Sequence, residues 1–128
     1  MSQKQFDLWL AGLDLSFWGT AQHKVTAAQF FERQASEDAV LLDLRSPEET
    51  TQIALPFALH IPVNELPNRL NEVPDDRLVA TFCSSVTRAV VAWVYLQLHG
   101  FEQVRILDGR YDELTKELVP GKVYKRIK

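Results

Sequence analysis

The stretch Leu78-Val79-Ala80-Thr81-Phe82-Cys83-Ser84-Ser85-Val86-Thr87-Arg88-Ala89-Val90-Val91-Ala92-Trp93 decides how the chain is read. An apolar β-type run ends at a cysteine, a few small polar residues follow, and an apolar helical run begins within one turn. In open α/β sheets ligands bind at the carboxyl ends of strands, beside helix N-termini, and Cys83 is expected there. A helix N-terminus presents unpaired N–H groups and about half a positive charge, which together stabilise an anion. A thiolate is such an anion, and this setting favours the ionised, nucleophilic form of a cysteine. Arg88 adds a permanent cation whose planar fork suits oxyanions, and Ser84, Ser85 and Thr87 add hydroxyl donors. A thiolate ringed by such donors can attack a sulfur-containing oxyanion, and the same ring would hold the outer sulfur of the resulting persulfide. The competing reading makes Cys83 a small hydrophobe closing a strand, because free cysteine is commonly buried and inert. The strand-end position, the polar loop and the arginine together favour the reactive reading.

Outward from this stretch, β-type and helical runs alternate from residue 25 onward, the pattern of an α/β domain with a largely parallel sheet. Ala39–Leu44, Phe57–Ile61, Leu78–Cys83 and Gln103–Leu107 are nearly continuous in apolar residues, as strands buried on both faces are. The segment from Phe17 to Val25 can supply a fifth strand. Thr26 with Gln29 and Ser46 with Glu49 form capping boxes, the second with Pro47 at the first helical position and Glu48 and Glu49 at the positive end of the dipole. Asn64–Leu70 reads as a short helix with Pro67 in its first turn, and Pro74-Asp75-Asp76 as a turn. Thr87–His99 reads as a helix stopped by Gly100, and Tyr111–Leu118 as a last helix stopped near Pro120-Gly121. Residues 1–24 carry Phe6, Trp9, Leu10, Leu13, Phe17 and Trp18, too much aromatic surface to leave in water, so this flank is expected to pack on the core. Residues 119–128, with Lys122, Lys125, Arg126 and Lys128, read as a basic, solvated tail.

The 128 residues, 46% hydrophobic and 24% charged, provide for one well-buried core and no second full domain. Fourteen basic against seventeen acidic residues give a charge of −3, with no global basic field for nucleic acid or an anionic membrane surface. The longest apolar run, Ala89–Leu96, is far short of the roughly 18 residues a membrane span needs. Asp7 and Asp14 interrupt the apolar start and Lys4 alone is a poor basic leader region, so the chain is read as mature and cytoplasmic, in keeping with a lone thiol. Cys83 with His23, His60 and His99 makes neither a disulfide nor a closed zinc site, and no metal or organic cofactor is expected. His60 reads as a hydrogen-bonded histidine at a sheet rim, and His99 as a helix-terminal residue favoured by the dipole.

At these residues the chain resembles the rhodanese family of sulfurtransferases, over about residues 25–118. Cys83-Ser84-Ser85-Val86-Thr87-Arg88 followed by Ala89 matches the family's loop of a cysteine, four residues and an arginine between a strand and a helix. Asp43-Leu44-Arg45 followed by Glu49 is similar to the segment after the family's first central strand. Leu55-Pro56-Phe57-Ala58-Leu59-His60-Ile61-Pro62 resembles its apolar strand between two prolines, and Gly100-Phe101, Val104 and Leu107-Asp108-Gly109 its closing strand and glycine turn. The resemblance implies a three-layer α/β/α domain with a central, mostly parallel five-stranded sheet. It implies that Cys83 is the sulfur-accepting nucleophile, that the N–H groups of residues 84–88 cradle the persulfide, and that Arg88 helps bind an anionic donor, with Ser84, Ser85, Val86 and Thr87 lining the same loop. Asp43 and Arg45 are implied as supporting residues that satisfy one another. The implied activity moves a sulfane sulfur from thiosulfate or a persulfide donor to a thiol, cyanide or protein acceptor. With no second cysteine to resolve the persulfide, the acceptor comes from outside, and a sulfur-relay partner fits.

Some positions depart from the family pattern. Val86 stands where the family often has glycine, Ala54 where it has a histidine, Gly109-Arg110 where it has two glycines, and Leu114 where it has an aromatic. A β-branched residue disfavours positive φ, so Val86 is expected either in an ordinary backbone conformation or in an altered cradle. Related phosphatases have one more residue between cysteine and arginine and need a general acid, which this loop lacks. The alternative to an enzyme is a non-catalytic binding or regulatory module that keeps the fold and docks a partner through the loop or the aromatic flank.

Overall fold

The computed structural model describes residues 2–128. In chain order it contains helices α1 (Gln3–Ala11) and α2 (Leu15–Gly19), strand β1 (Lys24–Val25), α3 (Ala27–Ala35), β2 (Ala39–Asp43), α4 (Pro47–Gln52), β3 (Leu59–His60), two short 3-10 segments (Val63–Asn68 and Leu70–Glu72), β4 (Leu78–Phe82), α5 (Thr87–Leu98), β5 (Val104–Leu107), α6 (Tyr111–Lys116) and α7 (Pro120–Ile127). The strands form one all-parallel sheet in the order β1-β5-β4-β2-β3. No described helix is long and apolar enough to cross a membrane.

Side chains alternate across a strand, and the two central strands use both faces. Leu42 and Val79 join Ala92, Trp93 and Leu96 of α5 in one core. Leu41, Leu78, Ala80 and Phe82 join Phe30 and Phe31 of α3 and Leu114 of α6 in the other. Helices therefore cover both faces of the sheet, giving three layers. Cys83, one step past Phe82, continues the alternation into the α5 core.

The helix starts follow local chemistry. Thr26 and Ser46 each accept a backbone N–H three residues on while Gln29 and Glu49 bond back, so both capping boxes form. α5 stops at Gly100, whose φ of +86° suits glycine; Gly100 N and Phe101 N bond the carbonyls of Gln97 and Leu96 at 3.2 and 3.1 Å.

Three elements differ from the sequence expectation. β3 is limited to Leu59–His60 because this edge strand pairs only with β2, while Phe57 turns aside to stack near Phe31. The segment around Pro67 winds as a 3-10 helix, not an α-helix. Pro120 does not end the chain's regular structure but starts α7, as proline at a first helical position can. Residues 119–128 are thus a largely exposed helix tied to the domain where Arg126 lies 4.9 Å over the Phe31 ring.

Residues of the N-terminal flank form α1 and α2, neither of which buries a residue outright. Trp9 and Phe17 reach the sheet layer through Trp93, at ring separations of 5.5 and 6.2 Å, and Trp9 Nε1 donates to Gln97 at 3.3 Å.

At the end of β2, Asp43 and Arg45 are buried and paired, Nη2 to Oδ2 at 2.7 Å and Nε to Oδ1 at 2.9 Å. Removing one member leaves a buried charge alone, which costs about 3–5 kcal/mol. Asp43→Ala is expected to lose stability in that range in urea unfolding; a loss near zero would mean the pair is not buried in solution.

Candidate active site

β4 delivers Cys83 to the carboxyl end of the sheet, and the chain enters α5 four residues later. The thiol is fully buried, and Sγ accepts the Ala89 N–H at 3.3 Å. That donor is one of the free N–H groups of the helix's first turn, the kind that stabilises an anion. Thr81, the preceding residue on the same face, donates from Oγ1 to the Ala89 carbonyl at 2.9 Å, so strand and helix start are pinned on both sides of the sulfur.

Val86 is the N-cap of α5 and has φ +74° and ψ −29°. The conformation is not an ordinary one: a β-branched residue occupies the left-handed region that glycine adopts most readily. Such a conformation costs about 1–3 kcal/mol and persists only where its surroundings over-determine it. Those surroundings are the Val90 N–H on the Val86 carbonyl at 3.0 Å and the side chain's packing against the α5 core.

Arg88 does not stand free over the loop. Its Nη1 and Nη2 donate to Oε1 and Oε2 of Glu49 at 2.6 and 2.9 Å, and Nη2 also reaches Ser84 Oγ at 3.0 Å. Ser84 in turn donates to Glu49 Oε2 at 2.8 Å. Glu49 therefore serves two ends at once, closing the capping box on Ser46 and clamping the loop across 39 positions of sequence. Its hydrogen bond from Arg88, with Ser46 and Ser84 adding to it, holds the Glu49 carboxyl well below the usual carboxylate range. The same contact raises Arg88, with the nearby Cys83 contributing less. Sequence reading finds Glu49 as a helix cap and in a segment that resembles the family, but not as the partner of Arg88, because nothing local signals a contact so distant.

The other expected residues take separate places. Ser85 and Thr87 are exposed. Arg45 lies behind the loop, donating from Nη1 to the Ile53 carbonyl at 2.8 Å and to Tyr111 Oη at 3.0 Å, with its guanidinium 5.8 Å from the Phe82 ring. His60 Nε2 donates to the Arg45 carbonyl at 2.7 Å. His99 is exposed and bonds the Tyr95 carbonyl through Nδ1 at 2.8 Å. No group of metal-binding side chains occurs among the described residues.

A buried thiol at a helix start, on a strand end of an all-parallel sheet, agrees with the match of residues 26–117 to the rhodanese-like domain family. The chain belongs to it. A protein named sulfurtransferase from Allochromatium vinosum is 39% identical over 74 residues, which cover 58% of this chain and 69% of that one. A human single-domain sulfurtransferase superposes with a TM-score of 0.61 at 28% identity, over 73% of this chain and 96% of its own. A rhodanese-related protein from Thermoplasma volcanium gives a TM-score of 0.65 at 22% identity, over 77% and 95% of the two chains, a likeness of fold.

Two substitutions test the loop. Because position 86 is left-handed, Val86→Gly is expected to be more stable than Val86→Ala by about 1 kcal/mol, the reverse of the order at an ordinary helix position. Equal stabilities would place Val86 outside that region in solution. Glu49, held below its ordinary value of 4.5, contributes stability that is present above that pH and lost as pH falls below it. Glu49→Gln is therefore expected to lower stability at neutral pH and to flatten its fall on acidification, read from chemical unfolding at a series of pH values.

Proposed function

We propose that the protein is a sulfurtransferase in which Cys83 carries a sulfane sulfur from a small sulfur-containing anion to an acceptor outside the chain. The observation that carries this reading is the Cys83 sulfur itself, set at a strand end, bonded by the Ala89 N–H and enclosed by a loop that Glu49 and Arg88 clamp shut. Relatives named sulfurtransferases support it.

With thiosulfate as donor, the Cys83 thiolate attacks the outer sulfur, the sulfur–sulfur bond of the donor breaks, and sulfite leaves with its electron pair. Cys83 then carries one additional sulfur as a persulfide. An acceptor thiolate attacks that outer sulfur and releases the Cys83 thiolate, so no net oxidant is consumed. In this reading the N–H groups of residues 84–88 hold the added sulfur, Ser84 keeps the loop closed, and Val86, Ser85 and Thr87 form its outer wall. Arg88 acts chiefly by fixing the loop through Glu49, leaving Nε and one Nη1 hydrogen for an incoming anion. Asp43 and Arg45 hold the ground on which Glu49 stands. Since Cys83 is the chain's single cysteine, a small thiol or a protein of a sulfur relay takes the sulfur.

Intact mass before and after thiosulfate tests the reading. The expected result is a gain of about 32 Da that cyanide discharges and Cys83→Ser lacks. No adduct from thiosulfate or from a polysulfide would overturn it in favour of a binding module.

A further inference from the structure

Beside the loop lies a groove of about 280 Å³ that the sulfur-carrying residues alone do not explain. Val86 and Val90 form one wall, Ile106 and Asp108 at the end of β5 another, and His23 with Lys24 at the start of β1 the third. Val86 thus belongs both to the Cys83 loop and to the groove. His23 and Lys24 lie outside the segment that matches the family, which begins at residue 26.

His23 is unusual in its surroundings. Its ring stands edge-on to Trp18 at 4.8 Å and lies 6.0 Å from Phe17, while Trp18 is itself held by an Nε1 bond to the Leu13 carbonyl at 3.1 Å. Its Nδ1 is the one buried side-chain nitrogen or oxygen without a partner among the described residues. An unpaired buried polar atom is costly, so an apolar ring would be preferred here on stability alone. With Nδ1 walled off, Nε2 is the nitrogen left to meet solvent or a ligand. Charges face the imidazole from each neighbouring element: Lys24 on its own strand, Arg105 on β5, and Asp108 after β5, the last paired with Lys24 at 3.4 Å. Burial, with Lys24 and Arg105 outweighing Asp108, holds His23 below its ordinary 6.5 and therefore uncharged at neutral pH.

We propose that this groove seats the acceptor thiol and that His23 Nε2 takes the thiol's proton as sulfur leaves Cys83. The inference rests on the Cys83 persulfide reading. A thiol R–SH gives its proton to His23; the thiolate attacks the outer sulfur of the Cys83 persulfide; the Cys83 sulfur–sulfur bond breaks; R–S–SH and the Cys83 thiolate form. His23 returns its proton to water. The valine and isoleucine side chains accept the apolar part of a small thiol, and the uncharged imidazole has a free lone pair to take a proton near pH 7.

The persulfide is loaded with thiosulfate and then discharged in single turnover by 2-mercaptoethanol, which has a proton to lose, or by sulfite at pH 8, which chiefly does not. His23→Gln and His23→Phe, the second keeping a ring against Trp18, are expected to slow thiol discharge at pH 7 by about 100-fold, the lower end of general-base effects. The deficit narrows as rising pH ionises the thiol, and sulfite discharge stays at the wild-type rate. Thiol discharge at the wild-type rate with an unchanged pH profile overturns the assignment, as does equal slowing with both acceptors. Failure of the wild-type protein to load any persulfide appears before a thiol is added; it overturns the Cys83 reading and the His23 assignment with it.

Discussion

Arg45 is fully buried, and each of its contacts ties a different piece of chain to the sheet. It takes Asp43 at the end of β2, the Ile53 carbonyl just past α4, and the Tyr111 hydroxyl at the start of α6. A guanidinium away from water is tolerable only when its donors are met, so these partners are held together by the penalty for parting them. α4 has only six residues and buries none, which leaves its ends to fix it. One end follows Arg45 directly and the other is hooked by its Nη1. Glu49 lies between those ends and is thereby delivered to Arg88 and Ser84. The loop clamp is downstream of the buried pair, and the geometry around Cys83 depends on a charge that never meets solvent.

The loop itself balances strain against enclosure. Left-handed valine is unfavourable, yet its isopropyl group packs against the α5 core and also faces the groove. Glycine at this place would relax the backbone and remove that wall. The clamp across the loop and the Ala89 N–H on Cys83 then hold the strained turn from two sides. The sulfur beneath this turn is fully buried, so the strained residue and the enclosed thiol occupy the same few ångströms of chain.

Much of the fold is legible because its signals are local. β2, β4 and β5 carry continuous apolar runs that fall within a residue of the observed strands, and Thr26 and Ser46 mark their helices through side chains three residues away. Cys83 and the helix after it are readable for the same reason. β3 is less so, since an edge strand's length depends on one neighbour. The proline of α7 carries either meaning, a stop or a first position, and contacts of the helix it starts, Arg126 on Phe31 and Lys122 and Arg126 on Glu117, go with the second. The Val86 backbone was unfavourable on residue type and is fixed by tertiary contacts. The Glu49–Arg88 pair and the His23 groove join residues far apart in sequence, and no periodicity or cap announces them.

The groove joins the matched segment to the flank before it. The thiol, its helix and its clamp all come from within residues 26–117, whereas the third wall of the groove comes from before them. That wall is positioned by aromatic packing: Phe17 and Trp18 meet Trp93 of α5, and His23 follows on the same aromatic cluster, with its carbonyl accepting the Ile106 N–H at 2.8 Å. A change in α2 can therefore reshape the groove through His23 without touching Cys83, Glu49 or Arg88. On the two proposals together, the thiol that would carry sulfur belongs to the matched segment, and the base that would select an acceptor belongs to the flank that precedes it.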